Sequence, residues 1–332
     1  MSGAGATALL VGTRAGLYRW QAGAVSPLDA GGEPVTLLAS LPGGGSGAGT
    51  AAGELLQLGP DGALQRRVAT GVREAVTALL HLAGPAPALL VGTERGRLLG
   101  SRGPGRSFEA IPVPVAAEAP LRLFAVPGRP GSALLLLAGQ GVWRAADRWG
   151  SFEPWLDGGS PKPHELAVHP VEGELWLAAA DDRVLRSTDG ARSFRAAAGT
   201  GAGLRPRALH FSAAPPHHAF VVTWPRREPP DPVDPSPLCT SRDGGQTFHA
   251  IPSHRIDRAR DPSGEISAIT SWRERGAEVI ALGTDRGELL EWRGGERRAT
   301  LLADGLPPIG ALLALPAPSA HDPSTSGVLL LP

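Results

Sequence analysis

Along this chain, apolar runs of four to six residues alternate with turns of Gly, Pro and small residues, and one four-part phrase keeps returning. Its first run starts beside a charge or a proline: Ala75–Leu80, Leu121–Val126, Glu165–Val168, Arg207–Phe211 and Glu265–Ile269. Its second run ends in small residues: Leu89–Thr93, Leu135–Gly139, Leu175–Ala179, Phe220–Thr223 and Val279–Thr284. A third run leads into a polar turn, and a short fourth run leaves it, as in Glu109–Pro112 and His249–Pro252. Runs this short, bounded by turn signals, predict strands rather than helices. Arg73–Leu82 alone would pass for a helix. Its counterparts hold Val, Ile, Thr and Phe, which favour strands. Four antiparallel strands per repeat form the blade of a β-propeller, so the predicted class is all-β.

Counting the phrase gives seven blades. First strands are expected near residues 35, 75, 121, 165, 207 and 265, and blade one opens at its second strand, Ala8–Thr13, followed by Leu17–Trp20 and Val25–Leu28. Its missing first strand is expected from Ile309–Leu315, so that the C-terminal strand joins the N-terminal blade and closes the ring. Closure removes exposed sheet edges. The chain is thus expected to be one seven-bladed propeller over residues 1–332. Two stretches fit this frame badly. Gly43–Thr50 stands where the second strand of blade two should be and is a poor strand former. Gly327–Leu331 is one strand too many. The two misfits together predict that the tail, 317–332, inserts near blades one and two beside a weakened sheet.

A second repeat punctuates the first. Ser187-Thr-Asp189-Gly-Ala-Arg-Ser193-Phe194 and Ser241-Arg-Asp243-Gly-Gly245-Gln-Thr247-Phe248 share one template. Ser101–Phe108 and Ala145–Phe152, with Asp147, are worn copies of it. The four copies start 44, 42 and 54 residues apart, a period that marks a repeat architecture. The template belongs at a tight hairpin between third and fourth strands. There an Asp accepts backbone N–H bonds of its own turn, Gly supplies positive φ, and the closing Phe packs between sheets. This pattern resembles the Asp-box, or bacterial neuraminidase, repeat, and Glu165–Phe194 resembles a full repeat unit of that kind. The resemblance implies that Asp147, Asp189 and Asp243 are structural turn residues and that catalysis is not theirs. It spans sialidases and other glycosidases, sortilin-like receptors, photosystem assembly factors and many bacterial proteins, so it implies a fold more than an activity.

Composition narrows the partners. Thirty-two basic residues balance thirty-two acidic ones, which gives no global field toward nucleic acid or anionic membrane. No apolar stretch reaches the length of a membrane span, and the N-terminus lacks the basic and apolar regions of an export signal. Cys239 is the lone cysteine and reads as a small buried residue. A cytoplasmic protein, monomeric by itself, is expected.

Candidate chemistry is thin. A sialidase resemblance would imply an Arg triad, a Tyr nucleophile and an Arg-Ile-Pro motif; that motif is absent, and the single tyrosine, Tyr18, is expected to pack between blades. Two carboxylates could still serve a glycosidase, and Asp181, Asp182 and Asp285 follow second strands, although turn formation explains them as well. His81, His169, His217 and His218 fall after first strands, on the opposite face, and no metal-ligand spacing or phosphate loop is present. No catalytic residue, metal or cofactor is expected. The starts of the first strands converge on one mouth of the central channel and carry Arg73, Glu74, Arg122, Lys162, His164, Glu165, Arg205, Arg207 and Glu265. On the same face, blade six has a long Pro-rich loop, about 223–238, with Trp224, Arg226 and Arg227, and the next connection adds Arg258. Trp and Arg favour contact hot spots, so a protein or peptide partner is expected on this face. A glycan-processing hydrolase with a carboxylate site at the mouth is the alternative.

Overall fold

The computed structural model describes residues 8–315, except 29–31, 83–87, 103–106, 116–117, 127–130, 147–150, 157–161, 200–204, 213–214, 225–237, 252–264, 275, 295 and 297–298. The recurring runs form seven four-stranded antiparallel sheets. Blade one joins β28 (Ile309–Ala314) to β1 (Leu9–Thr13), β2 (Gly16–Gln21) and β3 (Ala24–Pro27). Blade two is β4 (Val35–Ser40), β5 (Ser46–Thr50), β6 (Glu54–Leu58) and β7 (Leu64–Ala69). Blade three is β8 (Val76–Leu82), β9 (Ala88–Thr93), β10 (Leu98–Ser101) and β11 (Glu109–Ile111). Blade four is β12 (Leu121–Ala125), β13 (Ala133–Leu137), β14 (Gly141–Ala146) and β15 (Ser151–Pro154). Blade five is β16 (Glu165–Val168), β17 (Trp176–Ala180), β18 (Arg183–Ser187) and β19 (Arg195–Ala196). Blade six is β20 (Arg205–Phe211), β21 (Ala219–Trp224), β22 (Leu238–Ser241) and β23 (His249–Ala250). Blade seven is β24 (Ile266–Glu274), β25 (Ala277–Thr284), β26 (Leu289–Arg293) and β27 (Thr300–Ala303).

The ring closes as the pattern predicts. Leu9 pairs with Ala314 and Gly12 with Ala311, and the Leu315 amide donates to the Ala8 carbonyl at 2.8 Å. The first and last described strands therefore lie in one sheet.

The core is the set of seams between sheets. Each second strand is buried on both faces, so successive residues serve different seams. Leu134 and Leu136 pack toward blade five, while Leu135 and Leu137 pack toward blade three. Val221 faces blade five, and Phe220 and Val222 face blade seven. Tyr18 packs in the seam of blades one and seven, the bland role expected of it.

Blade two corrects the sequence expectation. Ser46–Thr50 is a fully buried strand, not a gap in the sheet. Its glycines are there because the neighbouring blade comes too close for a side chain. A Cβ on Gly49 would stand 2.6 Å from Val76 Cγ1, and one on Gly47 would stand 2.5 Å from Leu79 Cδ2. Low strand propensity is overridden by this close approach. Gly12, Gly92 and Gly283 meet Val35, Leu121 and Ile309 in the same way. The weakened sheet that would have drawn in the tail is therefore missing; the tail itself, 316–332, lies outside the described residues.

The template turns also form as expected. Asp189 Oδ1 accepts the Arg192 and Ser193 amides at 3.0 Å each and the Ser187 hydroxyl at 2.7 Å. Asp243 accepts the Gln246 and Thr247 amides and the Ser241 hydroxyl in the same pattern. Phe248 is buried in the seam between blades five and six, with Leu177 and Val221. Asp147 falls outside the described residues.

Two outcomes are expected. Gly49→Ala destabilises the fold by ~1–3 kcal/mol, the usual cost of overpacking, read as a lower urea midpoint. Desolvation raises the Asp189 and Asp243 carboxyls, but the hydrogen bonds they accept together outweigh it and hold both at about 2, below the usual 3.8. Their contribution to stability is complete above about pH 4 and is lost as pH falls toward 2; Asp189→Asn with Asp243→Asn removes that part of the acid-unfolding curve.

Candidate binding site at the channel mouth

The seven first strands begin at one end of the channel, where the second strands finish. In six of the seven blades a residue at that start reaches the adjoining blade. In blades two, three and seven it is a hydroxyl: Thr36 Oγ1 donates to the Val76 carbonyl at 2.6 Å, Thr77 Oγ1 to Leu121 at 2.8 Å, and Ser267 Oγ to Ile309. In blades four, five and six it is cationic or imidazole. Arg122 donates to the Thr77 carbonyl at 2.8 Å, Arg207 to the Ile266 carbonyl at 3.2 Å, and His164 Nε2 lies 2.9 Å from the Pro206 carbonyl. The same structural position thus concentrates charge on one side of the mouth.

Part of that charge is spent internally. Arg122 lies 3.8 Å from Glu165, and Arg207 lies 3.5 Å from Glu265. Glu74 is buried, bonded by the Thr93 hydroxyl at 2.7 Å and by Arg97 at 3.0 Å. Asp285 accepts the Glu265 amide at 2.8 Å. Burial pushes the Glu165 carboxyl above its ordinary range, against the opposing pull of Arg122, His164 and the Leu166 amide.

An open cleft of about 450 Å³ lies where blades five and six meet. His164, Asp181, Asp182, Arg205, Pro206 and Arg207 line it. Of the site residues expected from sequence, it brings together His164, Arg205 and Arg207, with Glu165 adjacent in the chain. Arg73 is exposed at the start of blade three, outside this lining, and Lys162 is exposed just before blade five. Arg226, Arg227 and Arg258 lie outside the described residues; of Trp224 only the strand position, opposite Arg205, is described. Asp181 and Asp182 had read as turn residues. They do form the two-residue turn of β17–β18, with Asp181 at φ 52°, yet the same turn makes the blade-five wall of the cleft.

The histidines on the opposite face serve packing. His169 Nδ1 accepts the Glu172 amide at 2.9 Å, and its ring meets Phe211 and His217 edge-on. His218 Nδ1 lies 2.6 Å from Glu278. Among the described residues, no group of three or more His, Cys, Asp or Glu could hold a metal ion. Burial raises the Cys239 thiol to about 11, so it is no nucleophile at neutral pH.

No protein-family model matches the sequence, and no curated protein does. Solved structures match in number: 1249 chains, so the likeness defines an architecture and no chemistry. A Niastella koreensis GH74 enzyme is 14% identical with a TM-score of 0.57, covering 87% of this chain and 41% of its own; the chain spans about two fifths of that enzyme. YCF48 bound to a D1 peptide is 12% identical with a TM-score of 0.57, covering 91% and 86%. A chain of a mitotic checkpoint complex is 13% identical with a TM-score of 0.62, covering 87% of each. No helix among the described residues is long and apolar enough to cross a membrane.

Burial lowers the pKa of His210, beside Ser271 in the seam of blades six and seven, from 6.5 to about 4. The unfolded chain binds this proton more readily, so stability is complete above about pH 6.5 and declines as pH falls toward 4. His210→Phe is expected to shrink the difference between urea midpoints measured at about pH 7 and about pH 5.

Proposed function

We propose that the protein is a non-enzymatic binding and assembly module, of the Asp-box propeller kind, that takes a protein or peptide partner on the face of the channel mouth. The observation that carries this reading is the cleft between blades five and six, where acidic and basic side chains stand together on open surface. Three other carboxylates of the mouth are engaged: Glu165 with Arg122, Glu265 with Arg207, and Asp285 with a backbone amide. Groups so occupied hold the mouth in shape and leave the rim to select a partner. Two neighbours in fold add support, one bearing a bound peptide and one from a multi-protein complex. The reading takes the chain as one propeller, monomeric, cytoplasmic and bacterial, working without nucleic acid or membrane insertion. The lone buried thiol suits a reducing compartment.

One observation favours a second reading, a glycan-processing hydrolase. Burial raises the pKa of Glu165 beside the cleft, and a GH74 enzyme shares the fold. A panel of nitrophenyl glycosides, tested with the native chain and Glu165→Gln, separates the two; turnover lost in Glu165→Gln would establish the hydrolase.

For the binding reading, the test reverses two exposed cations of the mouth, Arg73→Glu and Arg205→Glu, and captures partners from the native cell on immobilised full chain. Capture is expected to fall at least about tenfold, with Arg242→Glu on the opposite face as an unaffected control. Equal capture by the mouth variant and the native chain would reject the reading.

A further inference from the structure

The cleft has a polarity that its parts do not reveal separately. Its blade-five wall is acidic, Asp181 and Asp182, and its blade-six wall is basic, Arg205 and Arg207. Arg207 is held by Glu265 and the Ile266 carbonyl. Among the described residues, Asp182 pairs with its exposed neighbour, Arg183, at 3.5 Å. Among the described residues, Asp181 and Arg205 form no ion pair, with each other or with anything else. Opposite charges therefore face one another across open volume without closing on it. Two features hold the walls apart. Asp181 and Asp182 sit on a two-residue turn whose flanks, Ala180 and Arg183, are paired across the hairpin. Arg205 opens β20 opposite Trp224, and the floor between is fixed by His164 against the Pro206 carbonyl.

We propose, resting on the binding reading above, that this cleft recognises an amphoteric peptide segment, with a lysine or arginine side chain set against Asp181 and Asp182 and a glutamate or aspartate side chain set against Arg205. A volume of about 450 Å³ takes a few side chains and no folded domain. A purely acidic peptide meets Asp181 and Asp182, and a purely basic one meets Arg205 and Arg207, so each is repelled by one wall. Like-charge juxtaposition of that kind supplies selectivity as much as the attractive pairs do.

The test uses the full-length chain and labelled acetylated peptides in which one Glu and one Lys are separated by zero to three glycines, with Glu→Gln and Lys→Gln controls, read by fluorescence anisotropy. The best-spaced amphoteric peptide is expected to bind at least about tenfold tighter than either control. Asp181→Asn with Asp182→Asn should abolish the preference for Lys over Gln and keep that for Glu over Gln. Arg205→Gln should do the converse. Asn tolerates the left-handed backbone at Asp181, so the first variant keeps its turn. Equal binding of all three peptides, or preferences that survive both variants, overturns the proposal. If that happens while mouth reversal still abolishes partner capture, the broader binding reading stands without it; if capture also survives, both fall.

Discussion

Face-to-face packing of neighbouring sheets is the constraint from which the rest follows. Seven hydrophobic clusters fill the seven seams, each drawing on two adjacent blades. No blade owns a core. A sheet of four short strands cannot bury both its faces alone, so each blade is stable only between two others. This explains why second strands read as unbroken apolar runs, because both of their faces are inside. It also explains why β28, the last described strand, must return to blade one. Without it, Leu9 and Leu10 would lose their cover in the two seams that flank that blade.

The ring narrows toward its axis, and the narrowing shapes sequence there. Where a second strand ends beside the next blade's first strand, Gly12, Gly49, Gly92 and Gly283 leave room for Val35, Val76, Leu121 and Ile309. The residue at the first-strand start then lies close enough to bond a neighbour's carbonyl. A hydroxyl suffices, and blades two, three and seven use one. Arg122, His164 and Arg207 make the same kind of bond with more side chain than it requires. Their surplus is charge, delivered to one side of the mouth by a position that the architecture needs in any case.

Much of this was legible in the chain. Strand order, blade count and closure follow from one repeated phrase, and Asp189 and Asp243 build the turns that the template implies. The Gly43–Thr50 stretch was misread because propensity describes an isolated strand, whereas Gly47 and Gly49 answer to Leu79 and Val76, about thirty residues away. The mouth pairings were within reach of the repeat itself: Arg122 with Glu165 and Arg207 with Glu265 are separated by about one blade each. The cleft was harder to foresee. Asp181 belongs to a turn and Arg205 to a strand start, and only ring geometry sets a second-strand turn of one blade beside the first strand of the next.

The division of labour at the mouth bears on what the charges are for. Were they merely structural, each would be expected to end in a partner, as Glu74, Glu265 and Arg207 do. Among the described residues, Asp181 and Arg205 do not, although both line the same cleft. Exposed pairs contribute little to stability, so their absence costs the fold almost nothing. Charges that the fold neither needs nor neutralises remain available to an outside group. Because Asp181 stands on a two-residue turn held by its hairpin and Arg205 on the start of a strand, their backbones are set before anything binds, which lowers the ordering cost of recognition and makes spacing within the ligand the variable that matters.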